Sequence, residues 1–179
     1  LLAALGLGLM LAPAQAEEAK ATSAIVFKGT STLHGFEGSV TSQPFIVTFN
    51  QKPETGQVVV SAAAAVSVPD MTTAHKKRDK NMYKMLDQKN FTLISGALAD
   101  APIPAEGTGK AILKLKIRNV EREGAATLSD WKRDAGQVGC KMAFDVSLKA
   151  FGLKPPSVLG VIRVGDTVQV ECNLQGTVQ

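Results

Sequence analysis

Aromatic residues are scarce in this chain: seven phenylalanines, one tryptophan and one tyrosine among 179 residues. Any core or cavity must therefore be built mainly from Val, Leu, Ile and Ala. Histidine occurs twice, at His34 and His75, and cysteine twice, at Cys140 and Cys172. A zinc site drawn from these four is formally possible, but their spacings match none of the short ligand pairs that zinc proteins use. After residue 16 no apolar run is long enough to span a bilayer as a helix. Arg and Lys are not interleaved with aromatics and no nucleic-acid motif occurs, which argues against a nucleic-acid partner. Nothing in the residues calls for a cofactor.

What is present points to one soluble domain. The apolar fraction is 45% and the charged fraction 20%, ordinary values for a globular chain of this length. The first sixteen residues, LLAALGLGLMLAPAQA, stand apart. They carry no charge and end in Ala14-Gln15-Ala16, the small-x-small signature of a leader-peptide cleavage site. The segment is too short for a membrane helix, and an amphipathic helix is disfavoured because it has no polar face. The expected organisation is a signal peptide over 1–16, truncated at its start, and a single domain over 17–179, exported to the periplasm. Every charge lies after Ala16, so the net charge of +4 belongs to that domain. A mildly basic surface favours an anionic head group or transient contact with an anionic membrane.

Beyond Ala16 the apolar period is two almost throughout. In KAILKLKIR, residues 110–118, Ala111, Leu113, Leu115 and Ile117 share one face. In residues 138–148 the apolar face is Val138, Cys140, Met142, Phe144, Val146 and Leu148, and in 167–174 it is Val168, Val170, Cys172 and Leu174. Phe45, Val47 and Phe49 make another, and residues 57–68 read as a long strand with valines flanking an alanine run. Turn signals fall at 52–56, 102–109, Glu123-Gly124 and 154–157. Residues 70–91 break the pattern with helical spacing, Asp70 or Thr73 serving as N-cap and the basic run His75 to Arg78 on the first turns. About eight antiparallel strands with one inserted helix predict an all-β closed barrel, since closure removes edge strands. An eight-stranded barrel is either filled by side chains or holds one elongated ligand. Shared parity assigns Phe45, Val47, Ala111, Leu113, Leu115, Phe144 and Val146 to the lumen.

GTSTLHGFEG, residues 29–38, gathers Ser31, His34 and Glu37, residue types of nucleophilic and acid–base chemistry. On a strand over 24–33, however, Ser31 and His34 point to opposite faces. A nucleophile elbow would need Gly where Leu33 stands and a helix after it. Gly35 and Gly38 suggest a turn or bulge instead. No catalytic residue is assigned, and His34 reads as a strand-end polar residue or a contact for a ligand head group.

Four segments resemble the YceI-like family of exported bacterial proteins. They are FKGTSTLHGFEG (27–38), MTTAHKKRDKNMYKMLDQKNF (71–91), FDVSLKAFGLKPP (144–156) and VGDTVQVECNLQG (164–176). The middle one is the most specific: a Thr before the helix, Arg78-Asp79, and Met82 leading to Phe91. The resemblance implies an extended, lipocalin-like eight-stranded barrel holding an isoprenoid or other long-chain lipid, with no enzymatic activity. His34 and Arg78 are then the head-group candidates. A filled barrel that binds a protein partner without lipid is the alternative. The sequence departs from the family where Thr92-Leu93 replaces a Pro, and where Lys149-Ala150-Phe151-Gly152 replaces an Arg-x-Asp-Phe-Gly turn.

If residues 138–149 and 164–175 form a hairpin centred on Pro155-Pro156, Cys140 faces Cys172 on the apolar side of the pair. Export to an oxidising compartment then favours a disulfide. Two buried thiols are the alternative, and a one-residue slip would turn them to opposite faces.

Overall fold

The computed structural model describes residues 16–104, 106–158 and 162–179. The leader segment expected over 1–16 lies outside these, apart from Ala16. The strands are β1 (Glu17–Ser31), β2 (Gly35–Thr41), β3 (Phe45–Gln51), β4 (Val58–Ser67), β5 (Leu93–Pro102), β6 (Thr108–Ile117), β7 (Val120–Asp134), β8 (Gln137–Ser147), β9 (Ser157–Val158) and β10 (Ile162–Val178). One helix, α1 (Lys76–Leu86), is inserted between β4 and β5.

The first strand carries two neighbours on one edge. Its residues Glu17 to Ala21 pair with β3 and Ala24 to Thr30 with β2. Pro44 has no N–H to give a ladder, and the chain kinks between β2 and β3. Ser42 holds the kink: its N–H donates to Ser23 O at 2.9 Å and its Oγ accepts from Ser23 N at 2.8 Å. The two short strands thus act as one bent stave, and the order runs through β4, β5, β6, β7, β8 and β10, all antiparallel, back to β1. This is the expected eight-stave closed barrel, with the two-residue β9 added beside the start of β10.

The staves run between two ends. At one end lie Glu17, Gln51, Val58, Pro102 and Val178. At the other lie Ser31, Ser67, Leu93, Ile117 and Ser147. The first end is plugged by a buried cluster that includes Val47, Phe49, Val60, Ala101, Ala111, Leu128 and Val138. Trp131 meets Phe49 edge-on within it, with ring centroids 5.7 Å apart. The second end is covered by α1 and by a short 3-10 turn over Lys149–Phe151, which bury Met82, Leu86 and Phe151.

Two sequence expectations for turns need correction. Glu123-Gly124 is not a turn but lies inside β7, where Gly124 pairs with Leu113. The reversal comes earlier, at Arg118-Asn119, between the paired residues Ile117 and Val120. Arg118 adopts a left-handed φ of 57° there. The alternating pattern continues across Gly124 without a break, so glycine alone was a poor turn signal. The helix also starts two residues later than a Thr73 cap implies. His75 is the N-cap, its Nδ1 accepting from Arg78 N at 3.3 Å. Asp70 closes a separate 3-10 turn. Thr73 is occupied otherwise, donating to Asp79 Oδ1 from its N–H at 2.8 Å and from its hydroxyl at 2.5 Å.

The stretch 29–38 now has a structural meaning. Gly29 pairs with Phe36 and Gly38 with Phe27 across β1 and β2. Each ring lies over the opposing glycine: a Cβ on Gly29 would sit 2.5 Å from Phe36 Cζ, and one on Gly38 2.3 Å from Phe27 Cζ and 2.8 Å from Thr72 O. Gly35 and Gly38, expected in a turn or bulge, are residues of β2, and Gly29 and Gly38 vacate space for two aromatics. The irregularity lies on the other side of β1, whose ladder with β10 shifts register between Gly29 and Ser31. Strand β1 ends at Ser31, two residues before the span read from sequence, and begins at Glu17.

Two measurements check these contacts. Gly38→Ala must displace a ring and crowd a backbone carbonyl, an overpacking cost of about 1–3 kcal/mol. Gly124→Ala, with nothing within 4 Å, serves as the control. Thermal denaturation should show a fall of several degrees for the first and none for the second. Equal midpoints would remove the ring-on-glycine packing from the account.

Asp79 ties α1 to the segment just before it, since Thr72 Oγ1 also donates to its Oδ2 at 3.0 Å. Burial opposes its charge, but the Thr73 and Thr72 hydrogen bonds and the neighbouring Arg78 outweigh that and hold the carboxyl below 3.8. A depressed folded pKa stabilises above the unfolded value and is lost as pH falls through the folded one. Asp79→Ala should therefore cost roughly 1–3 kcal/mol at pH 7. The penalty should shrink once the pH drops below about 3.8, as read by urea titrations at both pH values.

Candidate functional site

Between plug and cover the barrel encloses a cavity of about 510 Å³, within the range of sites for small ligands. Its wall is what one-sided alternation produces: Ile25 and Phe27 from β1, Ala62 and Ala64 from β4, Leu113 and Leu115 from β6, Cys140, Met142, Phe144 and Val146 from β8, and Val168, Val170 and Cys172 from β10. Small residues make the room, because Ala64 faces Gly96 across β4 and β5. In the wall, the Ser23 hydroxyl is buried and has no hydrogen-bond partner among the described residues.

Six of the seven lumen residues expected from parity line the cavity: Phe45, Val47, Leu113, Leu115, Phe144 and Val146. Ala111 does not. It is buried, at 5% exposure, in the cluster at the Glu17 end, whose larger members Val47, Val60 and Leu128 do border the cavity. Parity tells inside from outside, but it does not say which inward side chains are large enough to reach the cavity.

The covered end is where polar groups meet the cavity. Ser31, Leu33 and His34 from the turn after β1, and His75, Lys77, Arg78 and Asn81 from α1, contribute to its lining. Leu33 is 66% exposed, so this rim opens to solvent. The face argument separated Ser31 from His34, yet the strand stops at Ser31 and the turn brings both to the rim. They interact through the backbone: Ser31 Oγ donates to His34 O at 2.8 Å, and Ser31 N donates to the same oxygen at 3.0 Å. His34 Nδ1 donates to Gly35 O at 2.8 Å. No imidazole nitrogen bonds the serine hydroxyl, so the pair forms no nucleophile–base dyad. His34 and Arg78, the two head-group candidates, both border the rim. Sequence reasoning missed His75, Lys77 and Asn81. The only signal for them was the basic run at the helix start.

Arg78 is held in place by Phe36, its guanidinium carbon 5.0 Å from the ring centroid, a cation–π contact. The same ring covers Gly29, so glycine, phenylalanine and arginine form one stack at the rim.

The disulfide expectation is corrected here. The register sets Cys140 opposite Leu174 and Cys172 opposite Met142, two residues away from the hairpin centred on the prolines. The connection carries a 3-10 turn and β9, so its midpoint is not its geometric centre. Both cysteines keep the inward face but sit as diagonal neighbours, too far apart for a 2 Å bond, and both are free thiols. Burial pushes both thiols up, Cys172 to about 12 with Cys140 adding to the effect.

A closed, eight-stave antiparallel barrel with an apolar lumen and one capping helix is a lipocalin-like architecture. A family model described as YceI-like domain matches residues 17–176, and the chain belongs to the YceI-like family. Among solved structures it is similar to BcnA of Burkholderia cenocepacia, with TM-score 0.68, 13% identity, and 87% of this chain and 96% of that one covered. It is similar to a polyisoprenoid binding domain from Saccharophagus degradans implicated in plant cell wall breakdown, with TM-score 0.61, 11% identity and coverage of 90% and 98%. A Campylobacter jejuni YceI protein aligns with TM-score 0.50, 12% identity and coverage of 71% and 79%. Comparison with curated protein sequences gives no significant match.

The thiols offer a direct check. Denatured, unreduced protein should titrate two thiols per chain. In the folded protein at pH 8 a maleimide should label Cys172 far more slowly than a model thiol, because its thiolate forms only near pH 12. No reactive thiol and a single-chain mass would restore the disulfide.

Proposed function

We propose that this protein is a non-enzymatic binding protein that holds an isoprenoid or other long-chain lipid in its lumen. The carrying observation is the apolar cavity of about 510 Å³ running inward from a polar rim. Burial of the chain drives affinity, at about 0.8 kcal/mol per methylene. His34 and Arg78 at the rim meet the head group. The Saccharophagus degradans relative is described as polyisoprenoid binding, which supports an isoprenoid tail over a straight acyl chain. Export to the periplasm is part of the reading. It rests on the uncharged run ending at Ala16 and on the match to the family beginning at residue 17. Among the described residues no helix is long and apolar enough to cross a membrane. The exposed Leu33, on the same cavity lining as Lys77, suits transient contact with a membrane surface during loading. The filled-barrel alternative, a protein-binding role without lipid, has the plug in its favour and the open cavity against it.

Native mass spectrometry of protein purified from cells tests this. A co-purifying long-chain lipid is expected. Ala64→Trp, which places an indole in the open middle of the lumen, should abolish the lipid mass while circular dichroism still reports an intact barrel. Clean apo protein before and after loading with a prenyl lipid would favour the filled-barrel role.

A further inference from the structure

The charges at the cavity are all of one sign. Apart from the two thiols, the ionisable side chains that line it are His34, His75, Lys77 and Arg78, and no Asp or Glu among the described residues joins them. Of the nearby carboxylates Asp79 feels the Arg78 charge, but among the described residues none forms an ion pair with this set. Asp79 is bonded to Thr72 and Thr73, and Glu37 pairs across the strands with Lys28, which is salt-bridged to Glu171 at 2.9 Å. Neither Lys77 nor Arg78 has a carboxylate within ion-pair distance among the described residues. The rim is also rich in donors. Because His75 Nδ1 accepts from Arg78 N, its neutral ring carries the proton on Nε2. The Arg78 guanidinium is braced by Phe36, so its fork is pre-oriented, and the N-terminus of α1 adds partial positive charge at the same place.

A neutral head group would leave this set of cationic donors partly desolvated and unanswered. We propose that the head group this site takes is a phosphate ester, so that the ligand is a prenyl phosphate or diphosphate rather than a prenyl alcohol or a quinone. This rests on the lumen reading: the tail fills the barrel, and the phosphate oxygens accept from Arg78, Lys77, His75 and Asn81. Arginine forks and helix N-termini both suit phosphate geometry.

The test uses the full chain and two probes with the same tail, geranylgeranyl phosphate and geranylgeraniol. Trp131, the single tryptophan, lines the cavity, so its fluorescence reads occupancy. The phosphate should bind roughly tenfold tighter or better, the return on one added charge-assisted hydrogen bond. Its advantage should shrink as salt rises from about 0.01 M to 0.15 M. In Arg78→Gln and in Lys77→Gln the phosphate-to-alcohol ratio should fall toward one. The ratio is taken within each variant, so any loss of folded protein divides out. Equal affinity for the two probes in the parent protein would overturn the phosphate assignment and leave the lumen reading standing. Binding of neither would sink the lumen reading itself. Binding of inorganic phosphate alone at the affinity of the prenyl phosphate would show a free-anion site and overturn the proposal.

Discussion

The ladder between β1 and β10 is the contact on which the molecule depends. It runs from Ala19 paired with Val178 to Ser31 paired with Val164, joining the first and last strands of the domain. Remove it and the sheet has two long edges, which is an aggregation hazard, and no inside. With it in place, every alternating strand has a face sealed from water, and the apolar side chains on those faces define a lumen. The ladder is also the most distant pairing in sequence. The chain must therefore hold its hairpins together before closure can stabilise them.

Closure creates an interior, and the sizes of the side chains decide how much of it is filled. Toward Glu17, bulky residues from facing staves and the Phe49–Trp131 pair occupy the section. In the middle, alanines and Gly96 leave it open. Toward Ser31, α1 and the Lys149–Phe151 turn roof the barrel but leave a rim of polar side chains. One architecture thus supplies an apolar lumen and a charged opening at one end of it. The Gly29–Phe36–Arg78 stack links the two: the glycine that lets the strands pack is also what seats the arginine at the opening.

Much of this was legible in the sequence, for definite reasons. A period of two imposed on KAILKLKIR and on the strands at 138–148 and 167–174 can be satisfied only by a half-wet sheet, and eight such segments only by closure. Inward parity placed Leu113 and Phe144 correctly because a pleat leaves no choice. What failed were features set by side-chain size or by loops of irregular length. Ala111 has the right parity, but larger members of its cluster such as Leu128, not its methyl group, border the cavity. The two cysteines have the right face and the wrong register, since the segment between β8 and β10 is not a simple turn. The His75 cap went unread because Thr73, the better cap by propensity, is taken by Asp79, a contact six residues along the chain that propensity does not contain. The rim residues Lys77 and Asn81 needed the turn at 32–34 folded beside them before they had a shared direction.

The same ladder also brings the two ends of the barrel together. Gln179 N donates to Glu18 O at 2.9 Å, so both ends of the barrel domain emerge side by side at the plugged base. Anything joined to either end, whether a leader, a linker or a fluorescent fusion, projects from the base and away from the rim. The barrel can therefore be tethered, labelled or immobilised by its termini with its opening unobstructed. The adjacency also makes it a natural subject for circular permutation, with a short linker across the base and new ends placed in the exposed turn at 53–56.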